Sequence, residues 1–424
     1  MKTIKVESVV FRDDLYPRIE TSVATVQKYA EDLSVLPPIA VNQHNELIDG
    51  WHRWTAHKKN EAEEIRVVVV ETASDAELLE KAIETNATHG LQLSQADKKA
   101  MAQTIYNGTP DKDRETKKKE LAKILSVSER TVRDWLSRID KDAKAARKER
   151  IFSMWLAGYT QQEIAADAGM PRKTVADEIA SYGENGSLAN LAKTDQNAAN
   201  HETDFDTPIY NVWKQQAKTS GSSHFGNSEV RWVDKLLYLY TSPFDVVLDP
   251  FAGGGSTIDI CKKRFRRYFV SDRKPIVERE KEIRQHDLKC GPLKPPQWDD
   301  VKLLYLDPPY WIQAAGQYSD DADDLANQSL EDFTANLSKI VKQYSAKMSD
   351  AYIALIIQPT QWKAPERVFV DHVGDLLRSV KLPVEMRYSV PYESQQCNAQ
   401  MVEWAKDSKR CLVLSREIIV WRVK

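Results

Sequence analysis

The chain has 424 residues and only four cysteines, Cys261, Cys290, Cys397 and Cys411, none in a C-x-x-C pair. A structural zinc site and a disulfide framework are therefore not expected, nor is any other metal; reduced thiols in a cytoplasm are. No apolar run approaches the ~20 residues that span a bilayer, so no membrane insertion is expected. The opening Met-Lys-Thr-Ile-Lys-Val-Glu lacks the long apolar core of a signal peptide, which argues against export. Nor is there an excess of basic charge. The net charge is -3, so contact with nucleic acid must come from local patches. What is present is ordinary for a globular protein, 42% apolar and 29% charged residues, and the length predicts two or three domains.

Residues 1 to about 100 read as a small α+β unit. Ile39–Val41 and Ile65–Val70 are strand-like, Trp51–Lys59 is helix-like, and Ala76, Leu79, Ala82 and Ile83 share one face of a helix over Ser74–Thr85. From about 110 to 182 the pattern is helical. Lys117–Ile124 and Glu129–Ile139 form one helix pair around Ser126-Val127-Ser128. A second pair follows: Thr160-Gln161-Gln162-Glu163 is a capping box, Gly169 turns the chain, and Pro171 opens a helix carrying Val175 and Ile179. Tyr182 to Asp206 is poor in large apolar residues and reads as a linker. Beyond it, strand and helix alternate, which implies a doubly wound sheet with strands at Val246–Leu248, Arg267–Val270, Leu303–Leu306, Tyr352–Ile357, Val384–Val390 and Glu417–Arg422.

Two strand ends carry chemistry. Val246–Leu248 runs into Asp249-Pro250-Phe251-Ala252-Gly253-Gly254-Gly255-Ser256-Thr257, and Val301–Leu306 runs into Asp307-Pro308-Pro309-Tyr310. Glycines let the backbone approach a ligand without Cβ interference, and a strand-turn-helix setting supplies the context that a bare glycine string lacks. A tight structural turn would also explain the glycines taken by themselves. Asp272 ends the next strand, where an acid accepts hydrogen bonds from ribose hydroxyls in such folds. Asp287 follows before the Asp307 strand. The pairing of a glycine loop with DPPY in one domain points to a cofactor and a base held side by side.

DPFAGGGST together with DPPY resembles the S-adenosylmethionine-dependent DNA amino-methyltransferases, over roughly the last half of the chain. His224-Phe225-Gly226-Asn227 with the helix Val230–Tyr240 is similar to that family's lead-in to its cofactor loop. The resemblance implies S-adenosylmethionine as cofactor, held by Asp249, Phe251, Gly253 and Gly255 on the methionine side, by Asp272 at the ribose and by Asp287 near the adenine. It implies that Asp307 and the Pro308 carbonyl accept the protons of an exocyclic amine while Pro309 shapes the turn and Tyr310 stacks on a base flipped out of the duplex. Adenine N6 is the favoured acceptor, because a leading Asp is the commoner adenine form in that family; cytosine N4 is the runner-up. Trp311 is placed in the core ahead of the base pocket. The acidic run from Tyr318 to Asp332 reads as a solvated or mobile loop over the site.

Leu15-Tyr16-Pro17-Arg18, Leu36–Val41, Leu47–Ala56 and Thr85-Asn86 resemble the ParB-like, sulfiredoxin-related domain. There a Gly-x-x-Arg turn binds nucleotide phosphates, and Gly50 and Arg53 fit it. His52, Thr55 and His89 depart from the family's arginines, which favours docking or dimerisation, and so a homodimer, over nucleotide hydrolysis. The two helix pairs resemble helix-turn-helix units, with Arg130, Arg133, Arg172 and Lys173 placed to meet double-stranded DNA. The expected chain is thus α/β in fold class: a Rossmann-like methyltransferase sheet over 207–424, a linker over 183–206, an all-α helix-turn-helix region over 101–182 and an α+β ParB-like domain over 1–100. Its expected activity is site-specific DNA methylation in the cytoplasm of a bacterial or phage-infected cell. The rival is a ParB-like DNA-binding regulator with an inactive methyltransferase domain.

Overall fold

The computed structural model describes residues 2–88, 93–182, 188, 191–215, 229–312, 314–316, 318–361, 369–391 and 399–424. The lead-in His224–Asn227 and His89 lie outside these. Packing divides the chain into two units, Met1–Ala146 and Arg147–Lys424. The division falls inside one uninterrupted helix, Glu129–Leu156, rather than at residue 100 or 182. The helix was expected to end near Ile139. No Gly or Pro interrupts it before Gly158, so nothing in the backbone stops it.

In the first unit, β1 (Lys2–Lys5), β2 (Ile39–Val41), β3 (Leu47–Asp49) and β4 (Glu64–Val69) form a sheet in the order β1-β4-β2-β3. β2 and β4 are parallel and the other two pairings antiparallel. Ile39, Val41, Leu47, Ile65 and Val67 bury their side chains against Trp54 of the helix Trp51–Lys59. A separate helical core follows, in which Leu79, Ile83, Met101 and Tyr106 pack on Leu121, Val132 and Leu136.

The second unit is built on β5 (Val246–Asp249), β6 (Arg267–Asp272), β7 (Arg284–Gln285), β8 (Val301–Leu306) and β9 (Ala351–Ile357), with a short ribbon of β10 (Thr360–Gln361) and β11 (Phe369–Val370) set apart, and β12 (Val384–Pro391) and β13 (Ser415–Val423) closing the sheet. The order is β12-β13-β9-β8-β5-β6-β7. β5 to β9 are parallel, and β13 runs antiparallel to both neighbours. The period-2 alternation sorts residues to two faces. Val247, Leu303, Tyr305, Ala354, Ile356, Ile418 and Val420 meet the helices Val230–Tyr240 and Ser256–Lys263 on one. Leu248, Leu304, Leu306, Ile353, Leu355 and Trp421 meet Leu330–Ser345 and His372–Val380 on the other. The chain runs from β5 outward to β6 and β7, then returns to the opposite side of β5 as β8. The order therefore reverses between β5 and β8, and a crevice opens outside their carboxyl ends.

The second helix pair belongs to this unit. Ile151, Trp155, Ile164, Val175 and Ile179 share one core with Phe244, Val247 and Tyr268. Gly158 approaches the sheet so closely that a Cβ there would lie 2.8 Å from the Phe269 ring and 2.9 Å from the Tyr268 carbonyl. The described part of the expected linker is tied down as well. Residues Lys193–Ala199 are helical. The buried Arg264 grips Asp234 through two bonds of 2.8 Å and donates to the carbonyls of Ala198, Thr203 and Asp204 at 2.9–3.1 Å. A composition poor in apolar residues gave no sign of this, because the segment is held by its backbone carbonyls.

Candidate active site

Asp249 is the last residue of β5 and is buried. Its Oδ1 accepts the Phe251 N–H at 2.9 Å and its Oδ2 the Thr257 hydroxyl at 2.6 Å. Burial pushes its carboxyl up to about 7. The two hydrogen bonds oppose that rise, and the charges of Asp307 and Asp272 add to it. The side chain is thereby committed to shaping the loop. Gly253, at φ 49°, donates its N–H to Asp272 Oδ2 at 3.0 Å. Gly255, at φ 82°, caps the helix Ser256–Lys263, and a Cβ on it would fall 2.7 Å from Arg279 Cδ. The positive φ favours glycine there, and any larger residue would also have to displace the Arg279 side chain.

Asp272 ends β6, and its other oxygen accepts the Lys274 N–H at 2.9 Å. Asp287 follows β7, accepts the Lys289 N–H at 2.9 Å and lies 3.6 Å from Arg273 Nε. β8 ends at Leu306, which leaves Asp307 half-buried at its carboxyl end and Pro308 buried behind it. Tyr310 folds back so that its hydroxyl stands 3.5 Å from Asp307 Oδ1. Trp311 is buried, donates from Nε1 to the Gln328 carbonyl at 2.9 Å and packs edge-on to His372, which makes it a core residue.

One cavity of about 1000 Å³ occupies the crevice at the switch point. Asp249, Phe251, Gly253, Asp272, Asp287, Asp307 and Pro309 all line it, so two motifs far apart in sequence meet in one space. Gly255, Pro308 and Tyr310 are not in its wall. Tyr318, Arg273 and Lys289 are, and sequence reasoning had passed over them. Position was their only signal: Arg273 and Lys289 closely follow Asp272 and Asp287, and Tyr318 opens the acidic run expected over the site.

The basic residues of the helix pairs are placed elsewhere. Arg130 and Arg133 are exposed on Glu129–Leu156, and Arg133 is shared with Glu129 at 3.2 Å and Glu115 at 3.8 Å. Arg172 and Lys173 are exposed at the start of Arg172–Tyr182. Arg172 borders a second cavity of about 640 Å³ with Trp155, Asp245, Arg267 and Asp300. Asp245 and Arg267 stand at the amino ends of β5 and β6, and Asp300 precedes β8. That cavity is therefore at the end of the sheet opposite the crevice. In the first unit, Gly50 holds φ 104° at the head of Trp51–Lys59, while Arg53 is paired with Asp49 at 2.5 Å and donates to the Pro38 carbonyl at 3.1 Å. His52 Nε2 accepts the Ser22 N–H at 2.9 Å, and burial first, then Arg18 and Arg53, hold its pKa below the usual value.

Residues 117–279, less than half of the chain, match the model of a family described as DNA methylase, of the N6/N4 type. This bears out the resemblance carried by the glycine loop, and it supports DNA amino-methyltransferase activity without separating adenine N6 from cytosine N4. The matched stretch holds the loop and Asp272 and stops before Asp307. No curated protein matches the chain. Among solved structures, the C-terminally truncated chromosome-partitioning protein ParB from Caulobacter crescentus complexed to the centromeric parS site is similar at 18% identity, with 42% of this chain and 88% of that chain covered and a TM-score of 0.23. The same ParB complexed with CTP-gamma-S is similar at 16% identity, covering 42% and 98%, with a TM-score of 0.19. A pNOB8-like ParB N-domain reaches 17% identity, 47% and 87% coverage and a TM-score of 0.27. Among the described residues, no helix is long and apolar enough to cross a membrane, and no cluster of His, Cys, Asp or Glu is arranged to hold a metal.

Proposed function

We propose that this chain is a site-specific DNA methyltransferase that moves a methyl group from S-adenosylmethionine to the exocyclic amine of a flipped base, adenine N6 in the first instance. The observation that carries the reading is the shared cavity: Asp307 and the glycine loop line one space at the switch point of the sheet. Its size suits a drug-sized ligand with room for a base beside it. The donor supplies, when bound, an electrophilic methyl group on a sulfonium. The chain does the rest by position and field. Phe251 and the backbone at Gly253 would pack along the donor, Gly255 would hold the turn from outside the cavity wall, and the amide end of the helix Ser256–Lys263 favours the donor's carboxylate. Asp272 would take ribose hydroxyls and Asp287 the adenine edge, while Asp249 keeps the loop in shape.

The amine of adenine is a poor nucleophile because its lone pair is delocalised into the ring. Asp307 and the Pro308 carbonyl would each accept one of its N–H groups, drawing the nitrogen toward tetrahedral geometry and localising the pair. Proline suits this, since it offers no competing N–H and fixes φ. Pro309 would shape the turn and Tyr310 would stack on the base. Arg130 and Arg133, and separately Arg172 and Lys173, would contact phosphates of double-stranded DNA whose target base is everted; Arg172, at the end of the sheet opposite the crevice, would do so away from that base. The ParB-like sheet would serve docking, in a homodimer, and the protein would work in the cytoplasm.

The test is transfer of radiolabelled methyl from S-adenosylmethionine to duplex DNA, followed by digestion to nucleosides. Label in N6-methyladenine, abolished by Asp307→Ala, is the expected result. Label in N4-methylcytosine makes the runner-up the right acceptor. DNA binding with no transferred label identifies a regulator instead and overturns the proposal.

A further inference from the structure

The acidic run after Tyr310 forms a wall of the cavity. Arg273 Nη2 meets Asp321 at 2.7 Å and Lys289 Nζ meets Asp323 at 2.6 Å, and these cations stand on the segments that follow β6 and β7. Inside the loop, Asn327 Nδ2 donates to the carbonyls of Ser319 and Asp321 at 2.8 Å, and Asp324 accepts from the Ala326 amide at 3.1 Å and from Ser319 Oγ at 3.2 Å. The loop is thus stitched within itself and pinned to the Asp272 side of the crevice, although it leaves the chain on the Asp307 side.

Tyr318 opens this stitched segment and lines the cavity with Asp249, Asp272 and Asp307. Its hydroxyl is pushed up to about 12, first by burial and then by the charges of Asp307, Asp272 and Asp324. Tyr318 therefore borders the same space as Asp272 and Asp307, carboxylates that stand on opposite sides of the switch point. Two of the cavity's acids have already taken hydrogen bonds from the protein: Asp249 from Phe251 and Thr257, Asp272 from Gly253 and Lys274. A sulfonium has no N–H to donate, so its attraction to such a site must come from the negative field and from an aromatic face. For methyl transfer to an amine held at Asp307, the sulfur has to lie between the Asp272 end of the cavity and Asp307.

Resting on the methyltransferase reading above, we propose that Tyr318 is a donor-binding residue whose ring packs on the sulfonium of S-adenosylmethionine. It thereby distinguishes the charged donor from the neutral thioether left after transfer. The ion pairs of Arg273 with Asp321 and of Lys289 with Asp323 tether the loop that carries the ring, and loss of the sulfur's charge weakens the grip on the product.

The experiment measures the affinity of the full-length protein for S-adenosylmethionine and for S-adenosylhomocysteine by calorimetry. Tyr318→Leu is expected to weaken donor binding on the order of 10-fold, within the ~2- to 30-fold range of cation–π contacts, and to leave thioether binding within about twofold. Tyr318→Phe and Tyr318→Trp keep an aromatic face and keep the ratio of the two affinities, a comparison that still stands if the leucine variant fails to fold. Asp272→Ala, acting on the ribose common to both ligands, lowers both alike. Equal loss of both ligands in a folded Tyr318→Leu protein, no loss at all, or a Tyr318→Phe ratio as low as that of leucine overturns the role of the ring while the methyltransferase reading survives. A wild-type protein that binds neither ligand overturns both.

Discussion

The two helix pairs follow one plan and end in different surroundings. Each has a short helix, a turn, and a second helix opening on Arg or Lys. In the first pair, Leu121, Val132 and Leu136 are covered by other helices, through Leu79, Ile83, Met101 and Tyr106. In the second, Ile164, Val175 and Ile179 are covered by the large sheet, through Phe244, Val247 and Tyr268. The first also encloses a polar network, where Lys118 meets Asp140 at 2.8 Å and Glu115 at 2.5 Å while the Tyr106 hydroxyl donates to Asp140 at 2.6 Å. The second has more exposed pairs, Lys148–Glu178 at 2.8 Å and Arg150–Asp167 at 2.7 Å. A helix-turn-helix pattern specifies an apolar stripe. It does not say what covers the stripe.

The strongest way to break this comparison is truncation. Deleting residues 1–182 removes both pairs at the expected linker. In the structure it also strips Trp155, Ile164 and Val175 from the core of the sheet. A fragment of residues 147–424 is expected to melt cooperatively and one of residues 183–424 to lose that transition, as read by circular dichroism. Equal melting of the two would mean that the second pair is only an appendage. Next in size are single residues. Trp155→Ala removes a buried ring 5.2 Å from Phe244 and is expected to cost ~3–5 kcal/mol in urea unfolding, whereas the half-buried Trp135 of the first pair should cost clearly less. Gly158→Ala places a Cβ against Phe269 at φ 75° and is expected to cost ~1–3 kcal/mol, while Gly108→Ala, with its nearest neighbour at 3.8 Å, should be close to neutral.

Acid sharpens the contrast. Burial by itself would raise the Asp140 carboxyl, but the bonds from Lys118 and Tyr106 and the Lys118 charge outweigh it and hold the group below its usual value. Its contribution is therefore present above the unfolded pKa near 4 and lost as pH falls through the lower folded value. Asp249 has the opposite sign. Raised to about 7, it binds more protons folded than unfolded, so its contribution falls as pH rises from about 4 to about 7. Asp140→Asn should flatten the acid limb of the first unit's melting curve, and Asp249→Asn the neutral limb of the second's. The smallest expected effect is on DNA. Arg130→Ala with Arg133→Ala, and Arg172→Ala with Lys173→Ala, should each reduce the salt slope of DNA binding by about one per lost phosphate contact. An unchanged slope in the second double variant would leave that pair a packing element alone.

Much of the second unit was legible in advance. The six strands read from apolar runs are all present, each within two residues of its expected ends at β5, β6, β8, β9, β12 and β13. At β5, β6, β8 and β9 local sequence is enough, because a strand with a parallel neighbour and both faces covered must be largely apolar; β12 and β13 are antiparallel and were read from their own alternation. The Thr160–Glu163 capping box was legible for a similar reason, its bonds being confined to one turn. β7, β10 and β11, two residues each, were missed because such short runs carry no period. The acidic loop is exposed at Asp320, Asp321 and Asp323 and lies over the site, as expected. That Arg273 and Lys289 face it was not legible, since they are distant in sequence and a charge run shows nothing of its partners.

The sequence by itself determined the strands, the capped helices and the two acid-led turns, because each depends on neighbours a few residues away. Only tertiary structure decided that both turns open into one cavity, that Asp249 is consumed in shaping its loop, that Tyr318 is brought beside the site acids, and that one helix pair is covered by helices and the other by the sheet. Those outcomes depend on strand order and on which apolar surface lies close enough to exclude water, and neither is encoded within any single segment.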